Sequence, residues 1–198
     1  MLVAKQKRKE NIAEYALYLY QVEDLIRAFK FDIDLIQEKL VANYQTNKKT
    51  SVEITEWYNN LVVMMEKEGI REKGHLQFLT NLITDINEFH IKLMELGNEK
   101  TYIQSFKSVS GIIAELKQKN KIANNDIQLG LDTVYGFLLL KMKGTKITAE
   151  TENAVKQLSQ WLGGVSKLYK EFEMGELELS NIFYYSTSGN SPSSLFLT

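Results

Sequence analysis

The clearest helical signal in the chain is NNDIQLGLDTVYGFLLLKMKG, residues 124–144. Asn124, Asn125 and Asp126 are residue types that cap helix N-termini, and a glycine such as Gly144 favours a helix end. Apolar residues between these ends recur at steps of three and four: Ile127, Leu131, Val134, Leu138 and Met142. Phe137 and Leu139 add apolar surface on other sides. Because a helix that is apolar on several faces is usually buried, we expect this one to be central.

The same spacing recurs through most of the chain and predicts seven helices. Their approximate ranges are 6–29, 32–44, 50–69, 71–96, 100–119, 126–144 and 148–172. The chain has a single proline, Pro192, so nothing earlier in the sequence breaks these helices in the way that proline does. We therefore predict an all-α, single-domain bundle over residues 1–175. Residues 176–198 lose the helical spacing, and we expect them to form a flexible C-terminal tail.

Composition narrows the class of protein further. The chain has 198 residues, 24 of them basic and 25 acidic, for a net charge of −1. It has no cysteine, which excludes disulfides, thiolate nucleophiles and Cys-type zinc sites. No apolar run approaches the roughly 20 residues of a membrane span, and the basic N-terminus lacks the apolar region of a secretory signal. We expect a cytoplasmic protein with no membrane partner.

The N-terminal segment KQKRK, residues 5–9, precedes a helix that carries Tyr15, Tyr18 and Tyr20. Basic residues beside aromatic ones suit a nucleic-acid-binding arm or a membrane-surface helix. Glu10 dilutes this charge at once, however. We therefore expect a frayed, solvated terminus and no nucleic-acid partner.

His75 is the strongest single candidate for a functional residue. We expect it on the fourth helix, in line with Leu82 and Leu93, and therefore largely buried with a hydrogen-bonding partner. Glu72 precedes it with the Glu-x-x-His spacing of di-iron helical proteins, but those proteins need two such motifs and this chain has one. We thus expect no metal and no cofactor. Arg71 and His75 are also similar to the Arg and His pairs that helical ribonucleases carry on one helix.

Tyr20, Glu23 and Arg27 form a second set of candidates, because they share one strip beside the apolar face of the first helix. Glu23 and Arg27 have the i, i+4 spacing of a helix-edge salt bridge, which is the simpler interpretation. The functional alternative is a polar cluster between helices, or the wall of a binding groove.

Two tryptophans and a glycine pair also stand out. Trp57 and Trp161 fit apolar stripes, so we expect both in the core. Gly163 and Gly164 interrupt the last helix, where they would kink it or admit a neighbour closely.

Three stretches resemble a known family: QVEDLIRAFKFDIDLI at 21–36, EKGHLQ at 72–77 and VYGFLLL at 134–140. The family is a bacterial one of uncharacterised helical proteins, domain of unknown function 4924, and the opening KQKRKENIAEY is similar to it too. The likeness covers residues 1 to about 179. It implies an all-helical cytoplasmic protein and brings no activity, cofactor or catalytic residues.

Two functions remain open at this point. The first is a non-enzymatic interaction or regulatory module that binds a protein partner or self-associates, which predicts a large apolar surface uncovered within one chain. The alternative is a hydrolase or metal-dependent enzyme centred on His75, with Glu72 and Arg71. These two differ in whether His75 lines a polar concavity or lies among apolar side chains.

Overall fold

The computed structural model describes residues 2–119 and 123–179. Within these ranges the chain forms eight α-helices and no strand. The helices are α1 (Leu2–Glu10), α2 (Ile12–Ala28), α3 (Ile33–Lys39), α4 (Lys48–Lys67), α5 (Gln77–Leu96), α6 (Lys100–Lys119), α7 (Asp126–Met142) and α8 (Ala149–Glu173). A short 3₁₀ turn, Val41–Asn43, follows α3. The predicted all-α bundle is confirmed. The tail beyond Leu179 lies outside the described residues.

Helix-capping side chains set several of the boundaries. Asn125 and Thr148 begin α7 and α8 as predicted, each accepting a backbone N–H three residues later. The prediction of one first helix over 6–29 is wrong, because Asn11 caps a new helix there and separates α1 from α2. The expected start of α4 at Thr50 is also wrong, since Asn47 is its cap and accepts from the Thr50 N–H.

The N-terminus of α5 differs most from the prediction. The helix begins at Gln77 rather than Arg71, and residues 68–76 form a loop, here called the α4–α5 loop. Gly74 in this loop has φ +94°, a conformation that favours glycine and interrupts a helix. His75 therefore lies on the loop and not on the helix. At its other end α5 stops at Gly97, with φ +70°, as predicted.

Trp161 lies at the centre of the bundle, fully buried on α8. Its indole N–H donates to the Tyr102 hydroxyl on α6 at 3.1 Å, and His90 Nδ1 on α5 lies 2.6 Å from the same hydroxyl. On α7, Gly130 approaches so closely that a Cβ there would lie 2.9 Å from the indole Cζ3. One aromatic side chain therefore joins four helices. Trp57, by contrast, is only half-buried, against expectation.

The glycine pair of α8 does not end the helix. α8 runs unbroken through Gly163 and Gly164. Of the two, Gly164 faces the Tyr102 ring. A Cβ at this position would lie 3.6 Å from the ring, which is an ordinary van der Waals contact.

α7 is central along only part of its length. Its buried residues all lie in the first half and end at Val134. The second half exposes Leu138, Leu140 and Met142, at 43%, 43% and 70% of their surface. The expectation that this helix is central is therefore wrong for its C-terminal half. Nowhere in the described ranges is a helix both long enough and apolar enough to cross a membrane.

The contact between Gly130 and Trp161 gives a first prediction. We expect Gly130→Ala to lower the free energy of unfolding by about 1–2 kcal/mol, because the added methyl group would collide with the indole. Gly136→Ala on the same helix is the matched control. No atom lies within 4 Å of its Cβ position, so better helix propensity should make it neutral or up to about 1 kcal/mol stabilising. Denaturant melts of both variants would measure this, and equal stabilisation of both would contradict the packing argument.

The buried His90 gives a prediction about pH. Burial lowers the pKa of His90 from its usual value of 6.5, so the unfolded chain takes up the proton before the folded chain does. The stability that this confers is present above about pH 6.5 and is lost as the pH falls through the lowered pKa. Between pH 7 and 5, we expect the free energy of unfolding of His90→Gln to depend less on pH than that of the parent protein. Parallel curves for parent and variant would show that His90 does not titrate in this way.

Candidate functional site

Glu23 is a buried carboxylate on α2, with 1% of its surface exposed. Its Oε2 accepts a hydrogen bond from His75 Nδ1 at 2.6 Å, and its Oε1 accepts one from the Leu76 N–H at 2.9 Å. Leu76 is the N-cap residue of α5 and makes no side-chain cap of its own. Both oxygens of Glu23 therefore bind the segment that leads into α5, where the helix dipole favours a negative charge.

The imidazole of His75 stacks on Tyr20, one turn before Glu23 on α2. The ring centroids lie 3.8 Å apart and the planes differ by 13°. Tyr20 is fully buried, whereas 26% of the His75 side chain is exposed. The ring of His75 is thus fixed by Tyr20 on one face and by Glu23 at Nδ1, while part of it remains open to solvent.

Arg27 binds the same loop one turn further along α2. Its guanidinium donates to the carbonyl oxygens of Ile70, at 3.3 Å, and of Gly74. It also pairs with Asp24 at 3.0 Å. The simpler sequence interpretation, a Glu23–Arg27 salt bridge, is therefore wrong, because each of the two side chains has a different partner.

α7 supplies the remaining side of this cluster. The Tyr135 hydroxyl donates to Asp24 Oδ2 at 2.8 Å, and the Tyr135 ring meets Tyr20 edge-on at 5.5 Å. Asp132, one turn earlier, lies beside Tyr20 and His75. Burial raises the pKa of Asp132, and the neighbouring His75 and Tyr20 side chains oppose that rise. We call these seven residues the His75 cluster: Tyr20, Glu23, Asp24, Arg27, His75, Asp132 and Tyr135.

The structure thus brings together four of the six candidates from the sequence: Tyr20, Glu23, Arg27 and His75. The other two do not take part in these contacts. Arg71 forms an ion pair with Glu66 and lies over the Phe31 ring at 4.9 Å, and Glu72 is exposed. The partner of His75 is Glu23 and not Glu72. His75 is only partly buried, because its place on the α4–α5 loop removes it from the helix face that it was expected to share.

Sequence reasoning missed Asp24, Asp132 and Tyr135. A signal for the last two was present, since they are polar groups one turn apart on a helix that is otherwise almost wholly apolar. Polar side chains at that spacing on a buried surface need partners, which α2 supplies here.

An apolar groove adjoins the cluster, between α2 and α7, with a volume of about 330 Å³. This α2–α7 groove is lined by Leu17, Tyr18, Gln21, Tyr135, Leu138, Leu139 and Met142, together with Lys7 and Glu14. The last two form an ion pair of 2.9 Å. Tyr135 belongs to both features, because its ring lines the groove while its hydroxyl binds Asp24.

In ranges 2–119 and 123–179, no group of three or more His, Cys, Asp or Glu side chains is placed to hold a metal ion.

A family model described as a domain of unknown function (DUF4924) matches residues 1–176. The chain belongs to this family. The matched range contains all eight described helices, the His75 cluster and the α2–α7 groove, so each is part of the DUF4924 domain of this chain. No curated protein and no solved structure matches the chain.

The Glu23–His75 contact predicts that both residues stabilise the DUF4924 fold. We expect His75→Ala to lower the free energy of unfolding by roughly 1–3 kcal/mol, since it removes the stack on Tyr20 and a hydrogen bond to a buried carboxylate. Glu23→Ala should cost more, because it leaves both His75 and the Leu76 N–H without an acceptor. Denaturant melts of the single and double variants would yield their coupling energy.

Lys92→Ala is the control for these melts. Lys92 is exposed on α5 and pairs at 3.4 Å with an exposed glutamate, so its loss should cost less than about 0.5 kcal/mol. If His75→Ala were as stable as Lys92→Ala, the structural role of His75 would be refuted.

Proposed function

We propose that this chain is a non-enzymatic interaction module that self-associates through the C-terminal half of α7 and the α2–α7 groove. The observation that carries the proposal is the exposure of Leu138 and Met142, which lie one turn apart on the same face of α7 and line the α2–α7 groove. Single exposed apolar residues are ordinary, but an apolar patch along a groove is typical of an interaction surface. A partner that covers this patch would remove it from water and gain about 25 cal/mol for each Å² of apolar area.

A second copy of the chain suits this surface because the groove is lined both by exposed and by half-buried apolar side chains. In a two-fold dimer the same patch faces itself, so each chain must offer both a projecting part and a cavity. Met142, the last residue of α7, lines the groove with 70% of its surface exposed, while Leu17 and Tyr135 line the same groove and are half-buried. Tyr and Met are also enriched in the centres of protein interfaces.

The charges at the groove support the same occupant. Lys7 and Glu14 carry opposite signs and line the same groove. A two-fold axis through it would place Lys7 of one copy near Glu14 of the other, which gives the rim electrostatic complementarity. In such an arrangement, charges of opposite sign would face each other across the rim, and no pair of like charges would have to be buried.

The enzymatic alternative has weaker support from the geometry. The polar groups of the His75 cluster are used to hold the chain's own loop, since Glu23 and Arg27 bind three of its backbone groups. Of the residues assigned to that enzyme, His75 pairs with Glu23, Arg71 pairs with Glu66 and Glu72 is exposed. We therefore assign the cluster a structural role and place the interaction function at α7.

Charge substitutions on α7 test the proposal. We expect the parent protein to sediment as a dimer, and the double variant Leu138→Glu with Met142→Glu to sediment as a monomer, because four carboxylates would be buried in each two-fold interface. The matched control is Val52→Glu with Ile91→Glu, two residues of similar exposure (50% and 48%) on α4 and α5, which should leave the dimer intact.

Circular dichroism would verify that each variant keeps the helical content of the parent. A parent that remains monomeric up to its solubility limit would refute self-association. So would a control pair that dissociates as readily as the α7 pair.

A further inference from the structure

A second cavity lies on the other side of α1, between that helix and the aromatic residues of α2 and α4. Its volume is about 370 Å³, within the range of about 300–1,000 Å³ typical of small-molecule sites. It is lined by Ala4, Lys5, Arg8, Lys9, Tyr15 and Trp57. We call it the α1–α4 cavity. It shares no lining residue with the α2–α7 groove, to which α1 contributes Lys7 instead.

α1 is an ordered wall of this cavity and not a frayed terminus. Residues 2–10 form a helix, and Ala4 is buried. Arg8 fastens it to the end of α8 through two hydrogen bonds to Glu173, of 2.8 and 2.6 Å. The helix that carries Lys5, Arg8 and Lys9 is therefore fixed along the cavity.

The charge of the cavity is positive and partly uncompensated. All its charged lining residues are basic. Arg8 is neutralised by Glu173, but Lys5 and Lys9 form no ion pair with any residue of the described ranges. These two lysines are one turn apart on the same face of α1, a like-charge spacing that destabilises a helix slightly. A bound anion would offset that cost.

The other walls of the cavity are aromatic. Trp57 is half-buried and held in place by Tyr58, which meets it edge-on at 5.0 Å, and by Tyr18, which stacks at 6.5 Å. Tyr15 lies beside Arg8, and burial raises the pKa of its hydroxyl, so this group stays protonated at neutral pH. An indole in a fixed orientation is a surface on which a planar ring can stack.

We propose that the α1–α4 cavity binds a mononucleotide, with the base against Trp57 and the phosphate between Lys5 and Lys9. The two features together select this class of ligand, because the lysines recognise the phosphate and the indole recognises the ring. A longer nucleic acid is less well matched. The cluster of basic residues at 5–9 is confined to this short helix, and the acidic residues Glu10 and Glu14 follow it in the sequence. This site is independent of the interface on α7.

Tryptophan fluorescence offers a direct test, because the chain has two tryptophans and only Trp57 is accessible. We expect AMP, GMP, CMP or UMP to quench the fluorescence of the full-length protein in a saturable way. Adenosine and inorganic phosphate should each bind at least tenfold more weakly than AMP, because each supplies only one of the two features.

Variants locate the site. Lys5→Ala with Lys9→Ala should weaken nucleotide binding at least tenfold by calorimetry, and Trp57→Leu should weaken it similarly. The matched control is Lys143→Ala with Lys156→Ala, which removes the same charge from exposed positions on other parts of the chain and should leave the affinity unchanged. Circular dichroism melts would show that the variants remain folded.

Three outcomes would overturn the proposal. The first is an absence of saturable binding by any of the four mononucleotides. The second is binding that the Lys5 and Lys9 substitutions leave unchanged. The third is tight binding of a single-stranded oligonucleotide while mononucleotides fail to bind, which would assign the cavity to a nucleic acid instead.

Discussion

The contacts of the Trp161 indole constrain how four helices of this fold meet. A buried indole N–H needs an acceptor, and the Tyr102 hydroxyl is the one that it has, with His90 bound to the same oxygen. α5, α6 and α8 must therefore meet at one height along their axes. Gly130 adds α7, since only a residue without a side chain lets that helix approach the ring. Apolar packing alone would tolerate several offsets between these helices, whereas these contacts accept few.

The position of the His75 cluster depends on α2 and α7, which this core holds in place. α2 is tied to α8 by the Ala13 N–H, which donates to the buried Ser166 hydroxyl at 3.1 Å. With both helices fixed, Glu23 and Asp132 face the same end of the α4–α5 loop. α7 continues for two turns beyond its last buried residue, Val134, and this extension leaves Leu138, Leu140 and Met142 exposed. The His75 cluster and the exposed apolar residues of α7 thus lie close together because both depend on where the core places α7.

Most of the fold could be predicted from the sequence because helices leave a local signature in apolar spacing and in caps such as Asn125 and Thr148. The start of α5 has no such signature. Its N-cap, Leu76, has no capping side chain, and the helix is capped instead by Glu23 and by Glu68, which accepts from the Gln77 N–H at 2.7 Å. Glu23 lies 53 residues from Leu76 in the chain. No pattern within one helix reveals such a partner, so His75 was placed on the wrong element.

The burial of Glu23 shows what that distant capping achieves. Withdrawing a carboxylate from water costs several kcal/mol, and an apolar residue of similar size would often stabilise a core at least as well. An apolar residue could not, however, accept from both His75 and the Leu76 N–H. Arg27 binds the same loop further from the helix, at the carbonyl oxygens of Ile70 and Gly74. We infer that α2 carries these charges for positional specificity, because they define where α5 begins and so help to set its register against Tyr102 and α8.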